Sequence, residues 1–167
     1  MGWRYGRILL GAVLLLISVP SLALQAPTGA VILEVAGSID ATNVDGEAHF
    51  DRDMLEALPQ HVVTTGHPWI DGQSRFEGPL LRDILQAVSA HGETMNVQAI
   101  RAYASDIPFS DAHDYDVILA LTRDGTPIRV RDRGPLQVIY PFDERPELNT
   151  NIYFSRSVWH VARIEVR

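Results

Sequence analysis

The run Arg131-Asp132-Arg133-Gly134-Pro135-Leu136, then Val138-Ile139-Tyr140-Pro141, Tyr153 and Arg156-Ser157-Val158-Trp159, says more than any other part of this chain. Three arginines, a Gly-Pro turn, two tyrosines and a tryptophan fall around one short apolar strand. Apolar walls with a few placed polar groups are what small-ligand sites are made of. Arginine adds a planar donor fork, and the aromatic rings add stacking faces, so the run suits a flat, polar ring.

Working outward, the periodicity describes a strand-rich chain. Residues 31–35 alternate as a first strand, closed by Gly37. Asp51 reads as an N-cap before a short helix with Met54, Leu55 and Leu58 on one face, ended by Pro59. Residues 60–65 form a second strand, and Asp71-Gly72 is a turn signal. From Pro79 the period lengthens. Leu80, Leu81, Ile84, Leu85 and Val88 make one face of an amphipathic helix, with Pro79 in its first turn and Gly92 at its end. Strands follow over 96–104, 116–122 and 127–130, the last two joined by an Asp124-Gly125 hairpin. Further strands read at 136–140 and 158–166, with a loop of at most one helical turn over 141–151. The fold class is a mixed, strand-dominated α+β single domain with two helices.

These residues carry a family resemblance. Phe76-Glu77-Gly78-Pro79-Leu80-Leu81-Arg82-Asp83-Ile84-Leu85, Ser105-Asp106-Ile107-Pro108, Val117-Ile118-Leu119-Ala120 and the Arg-Ser-Val-Trp end occur in order over about 31–166. In this the chain resembles the sulfite-oxidase-type molybdopterin-binding domain, and its small secreted members most. The resemblance implies the sulfite-oxidase-like fold and a pocket shaped for a pterin. In catalytic members a cysteine thiolate holds molybdenum at the end of the strand before the Phe-x-Gly segment. That position falls near Gly66, in Val62-Val63-Thr64-Thr65-Gly66-His67-Pro68-Trp69, and the chain contains no cysteine. A soft thiolate is the anchor expected for molybdenum, nothing here replaces it well, and no catalytic residue is assigned.

The N-terminus reads as a targeting segment. Arg4 and Arg7 precede an apolar run over 8–19, with Pro20 and then Ser21-Leu22-Ala23 at signal-peptidase spacing. The domain expectation is a signal peptide over 1–23, cleaved after Ala23 with Ala26 as second choice, and a binding domain over 24–167. An uncleaved anchor is the alternative. Export places the protein in the periplasm with no disulfide to support it. Loss of Arg4 and Arg7 takes the formal charge from −7 to −9, which argues against nucleic acid and anionic membranes.

A free pterin dictates its own partners. The ring needs stacking faces, and Trp69, Tyr103, Tyr140, Tyr153 and Trp159 are available. Its amide-amino edge presents two parallel donors to a carboxylate. Asp106 is the candidate, with Asp143 and Glu144 as rivals. Arg133 and Arg156 are the candidate donors. Each has a plainer reading: Trp159 as core, Asp106 as a turn cap, Arg156 paired with a surface acid such as Glu147. Asp111, His113, Asp114 and Asp116 read as a solvated loop rather than a metal site. His61 and His67 lack a third ligand, so no metal site is assigned. No Gly-x-Ser-x-Gly nucleophile elbow occurs.

The leading expectation is binding of a free pterin or related heterocycle without turnover, with no tightly bound cofactor. The resemblance implies a partner as well: occupancy passed to the periplasmic domain of a membrane sensor or cyclic di-GMP enzyme. Alternatives are a molybdopterin-dependent oxidoreductase with a non-cysteine metal ligand, and a ligand-free interaction module.

Overall fold

A computed structural model describes residues 24–67 and 69–167, apart from the Ile70 side chain. The expected signal segment, residues 1–23, lies outside the described residues. Among the described residues no helix is long and apolar enough to cross a membrane.

The first strand, β1 (Val31–Gly37), buries Leu33, Val35 and Ala36 and runs two residues beyond the alternation that marks it. It sits inside a five-stranded sheet. β2 (Ala48–Asp51) pairs antiparallel on one side, and β11 (Val161–Val166) pairs parallel on the other. β5 (Thr94–Ala99) and β6 (Ala104–Pro108) complete the order β2-β1-β11-β5-β6. The single strand expected over 96–104 is thus a hairpin, turning at residues 100–103 where Ala102 takes positive φ.

A second, four-stranded sheet has the order β3-β4-β8-β9, from β3 (Gln60–His67), β4 (Ile70–Pro79), β8 (Thr122–Arg123) and β9 (Thr126–Pro127). A two-stranded ribbon, β7 (Ile118–Ala120) and β10 (Gln137–Ile139), joins it through the Leu80–Ile118 bridge. Asp124 and Gly125 both take positive φ, as a two-residue hairpin of this hand requires. The expected 127–130 strand is only the two-residue β9, because the chain enters a 3-10 turn at Val130–Asp132.

Asp71-Gly72 is not the hairpin turn. Gly66 pairs with Gln73 and His67 with Ile70, so residues 71 and 72 are extra on β4. They form a bulge, with Gly72 at φ 72°. Farther along β4, a Cβ on Gly78 would run into the Leu119 carbonyl, so only glycine lets β4 cross β7 this closely.

Asp51 caps α1 (Arg52–Glu56), accepting the Met54 N–H at 2.9 Å. Leu55 is buried from this helix, and Met54 and Leu58 pack against the core. α2 (Leu81–Ala87) buries Leu81, Ile84 and Leu85. Its limits differ from the pattern: Pro79 still belongs to β4, and Val88, not Gly92, is the C-cap. Two short helices were not legible, α3 (Phe109–Asp114) and α4 (Asn151–Arg156). Each spans six residues, fewer than two turns, so neither develops a readable 3.6-residue period. α3 corrects the solvated-loop reading, because Asp111 is buried there.

The larger core packs the five-stranded sheet against α1, α2 and the β7–β10 ribbon through Leu33, Val97, Leu119, Val138 and Ile164. A smaller core of Phe76, Leu80, Ile118, Ala120 and Ile139 lies under the second sheet. Full burial of one such side chain is worth about 1.5–3 kcal/mol.

Candidate functional site

The site forms where β3 ends, because that end meets the segment before β11. Trp69 lies in the β3–β4 turn with 40% of its surface exposed. Its ring stands edge-to-face against Trp159, with centroids 5.0 Å apart, and packs on His67 at 4.7 Å. Phe154 of α4 contacts Trp69 at 6.4 Å and Phe142 at 5.3 Å. Arg133 ties this cluster together. Its Nη1 donates to the Trp69 carbonyl at 2.7 Å, and its guanidinium lies 5.0 Å over the Trp159 ring, within cation–π range. The arginine is held in turn. It takes a left-handed conformation after the 3-10 turn. Its carbonyl accepts the His160 N–H, and the Gly134 carbonyl accepts His160 Nδ1 at 2.6 Å.

Beside the cluster opens a cavity of about 630 Å³, walled by Trp69, Tyr103, Phe154, Trp159 and Val158, with Asn151, Ser155 and Ser157 as polar lining. The Tyr103 hydroxyl donates to the Ser155 carbonyl at 2.6 Å, closing the wall between β6 and α4. The volume lies in the range of small-molecule sites. A second hollow of about 570 Å³ lies between α1 and α2, but Leu24 and Gln25 of the chain's own N-terminal stretch line it.

His67 is the member that sequence reasoning weighed only as a metal ligand. Burial, then the positive charge of Arg133, hold its pKa down at about 4, so the imidazole is neutral at pH 7. Its Nδ1 is buried with no hydrogen-bond partner among the described residues. An unpaired buried polar atom at an aromatic site is a cost that a ligand or water can remove. The sequence signal was available: a histidine two residues before an exposed tryptophan.

Behind α4 lies a second network. The Asp111 Oδ2 accepts from the Tyr140 hydroxyl at 2.7 Å and from Arg156 Nη1 at 2.9 Å. The Arg156 guanidinium sits 5.3 Å over the Tyr153 ring, and Tyr153 donates to the Tyr115 hydroxyl at 3.4 Å. Burial, reinforced by the bond to Asp111, raises the Tyr140 pKa far above the tyrosine range. The hydrogen bond to Tyr115, then burial, pushes Tyr153 up to about 12.

The structure therefore divides the sequence candidates. Trp69, Tyr103 and Trp159 line the cavity, and Arg133 braces its wall through the Trp69 carbonyl and the Trp159 ring without lining it. Tyr140, Tyr153 and Arg156 belong to the buried network that anchors α4, and Arg156 pairs with Asp111 rather than with Glu147. Asp106 lies elsewhere. It is exposed on β6, three residues or about 10 Å along the strand from Tyr103, where it accepts from Asn96 at 2.7 Å. Its rival Asp143 is at the site's edge, accepting from the Gly66 N–H at 3.0 Å and from Gln73 at 2.6 Å. The loop after Pro141 is thereby tied to the end of β3. Glu34, Glu47 and His49 also converge, but Arg163 lies among them, bonded to both carboxylates.

The profile of the oxidoreductase molybdopterin binding domain matches residues 39–167. The chain belongs to this family. Among solved structures it is similar to the sulfane dehydrogenase SoxCD from Paracoccus pantotrophus, with a TM-score of 0.59 and 16% identity. That match covers 80% of this chain and 37% of the SoxCD chain, and it shows a sulfite-oxidase-like fold. No curated protein matches the sequence. The aromatic cavity suits the flat ring of the family's ligand class. At the β3 end stand a glycine, a neutral imidazole and a tryptophan, so the protein thiolate that would ligate molybdenum is missing there.

Proposed function

We propose that this molybdopterin-binding-type domain holds a free pterin or a related flat heterocycle in the periplasm without turning it over. The reading rests chiefly on the cavity framed by Trp69 and Trp159. It offers aromatic walls, one of them backed by the Arg133 guanidinium over Trp159, and small polar groups, but no soft metal donor. Stacking and dispersion supply affinity there, and Asn151, Ser155, Ser157 and the Tyr103 hydroxyl supply direction. No carboxylate lines the cavity among the described residues, so the ring edge meets amide and hydroxyl acceptors rather than Asp106.

Occupancy would pass to a membrane sensor or cyclic di-GMP enzyme. The support is the position of Asp143: it fastens the loop after Pro141 to Gly66, beside the cluster that a ligand contacts. The test is fluorescence titration of ligand-stripped protein with a reduced pterin. Saturable, one-to-one quenching of tryptophan emission is expected. Absence of binding, with a purine of similar size equally silent, refutes the reading.

A further inference from the structure

We propose that β3 is a self-association edge, along which two copies of this chain pair antiparallel about a two-fold axis at Val63. β3 is the terminal strand of its sheet, so among the described residues one side of its backbone faces no other strand. Two observations fix which groups face outward. Gln60 lies opposite Pro79, which has no N–H to give. The Gly66 N–H turns away from β4 to reach Asp143. Antiparallel ladders alternate, so the N–H and C=O groups of residues 60, 62, 64 and 66 all point outward.

Both ends of this edge are closed. Asp143 occupies the Gly66 end, and the Gln60 side chain folds back onto the Leu55 and Leu58 carbonyls. The open window is Val62 and Thr64, with Val62 46% exposed. A free edge is a template for another strand, and proteins block such edges with charge, proline, bulges or shortness. The other edges here carry those devices: β2 is four residues long and pairs with a register shift, β6 has Asp106 and Pro108, and β9 is two residues with Pro127. Over residues 60–66, β3 has no proline and no Asp, Glu, Lys or Arg.

The window is self-complementary, which selects a second copy as occupant. Under a two-fold at Val63, Val62 of one copy faces Thr64 of the other. Each N–H then meets a C=O, giving four ladder bonds, with β-branched side chains across the seam. The same register sets the exposed His61 of each copy close to Asp143 of the other, donor toward acceptor. Trp69 lies in the turn beyond the Gly66 end of β3, so the two cavities open at opposite ends of the joined sheet and stay accessible. This inference does not depend on the ligand.

The test combines sedimentation velocity over a wide concentration range with amide hydrogen exchange, on soluble protein expressed from the full-length sequence. A dimer that grows with concentration is expected, with protection of the Val62 and Thr64 amides growing in parallel. Val62→Lys should weaken association by roughly tenfold or more, since it sets like charges near the two-fold, with an unchanged melting temperature at dilutions where the wild type is monomeric, because the side chain is exposed. Thr64→Pro, which deletes a ladder donor, is the second variant. A monomer at every concentration overturns the proposal. So does a dimer indifferent to Val62→Lys, or protection of these amides that appears only when a foreign protein is added.

Discussion

The indole planes of Trp69 and Trp159 meet at 90° with their centroids 5.0 Å apart. This contact joins a turn residue to the segment entering β11, across 90 positions of sequence. The contact holds Trp69 in place while 40% of its surface stays exposed, and the ring lines the cavity. A rigid, half-exposed indole is a stacking platform that loses little entropy when a flat ring arrives.

Trp69→Ala should weaken pterin binding by roughly tenfold to a hundredfold, in line with the loss of about 1–3 kcal/mol when an aromatic side chain stacked on a heterocyclic base is truncated. Stability should fall by less, because the ring is only part-buried. Calorimetric titration and denaturant melts on one preparation separate the two effects.

Arg156→Ala should do the reverse. Its guanidinium pairs with Asp111, whose side chain is 5% exposed, so truncation strands a buried carboxylate. Breaking a buried pair costs about 3–5 kcal/mol. The structure thus changes the role read from the Arg-Ser-Val-Trp run: Arg156 is expected to hold α4, and Arg133 to hold Trp69 and Trp159 in place. A denaturation midpoint unchanged in Arg156→Ala would contradict this.

His67 makes stability pH-dependent. Its folded pKa, about 4, lies below the unfolded value near 6.5, so the unfolded chain binds the extra proton between them. The contribution is complete above pH 6.5 and is lost as pH falls through 4, up to about 3 kcal/mol. The unfolding free energy of the wild type, taken relative to that of His67→Gln, should therefore fall from pH 7 to pH 4. A difference that stays constant over that range would show that His67 does not titrate as placed.

Asp106→Asn should leave pterin affinity within about twofold, since the side chain lies on exposed β6 and not at the cavity. Asp143→Asn should weaken binding more, by loosening the contacts to Gly66 and Gln73. Calorimetry on the two variants decides. A large loss in the first alone would return the recognition carboxylate to Asp106.

What the sequence revealed follows the range of the interactions. The Asp51 cap, the apolar face of α2 and the Asp124-Gly125 hairpin are set by residues within a turn or two, and their local chemistry was readable. The Gly72 bulge was not, since Asp-Gly means a turn until the register of β3 is known. Asp111 looked solvated because its partners, Tyr140 and Arg156, are 29 and 45 residues away. At the site, the family resemblance together with the aromatic and arginine pattern picked out Trp69, Tyr103, Arg133 and Trp159. Which arginine braces the aromatic cluster, and that His67 packs on Trp69, depend on how α4 and β3 pack.

The central claim, a pterin site without a metal, is tested most directly on protein purified from its native host. Absorbance and fluorescence of the released ligand and elemental analysis for molybdenum should be measured on one sample. The account predicts a pterin approaching one per chain and no molybdenum above background. Molybdenum in stoichiometric amount would contradict it.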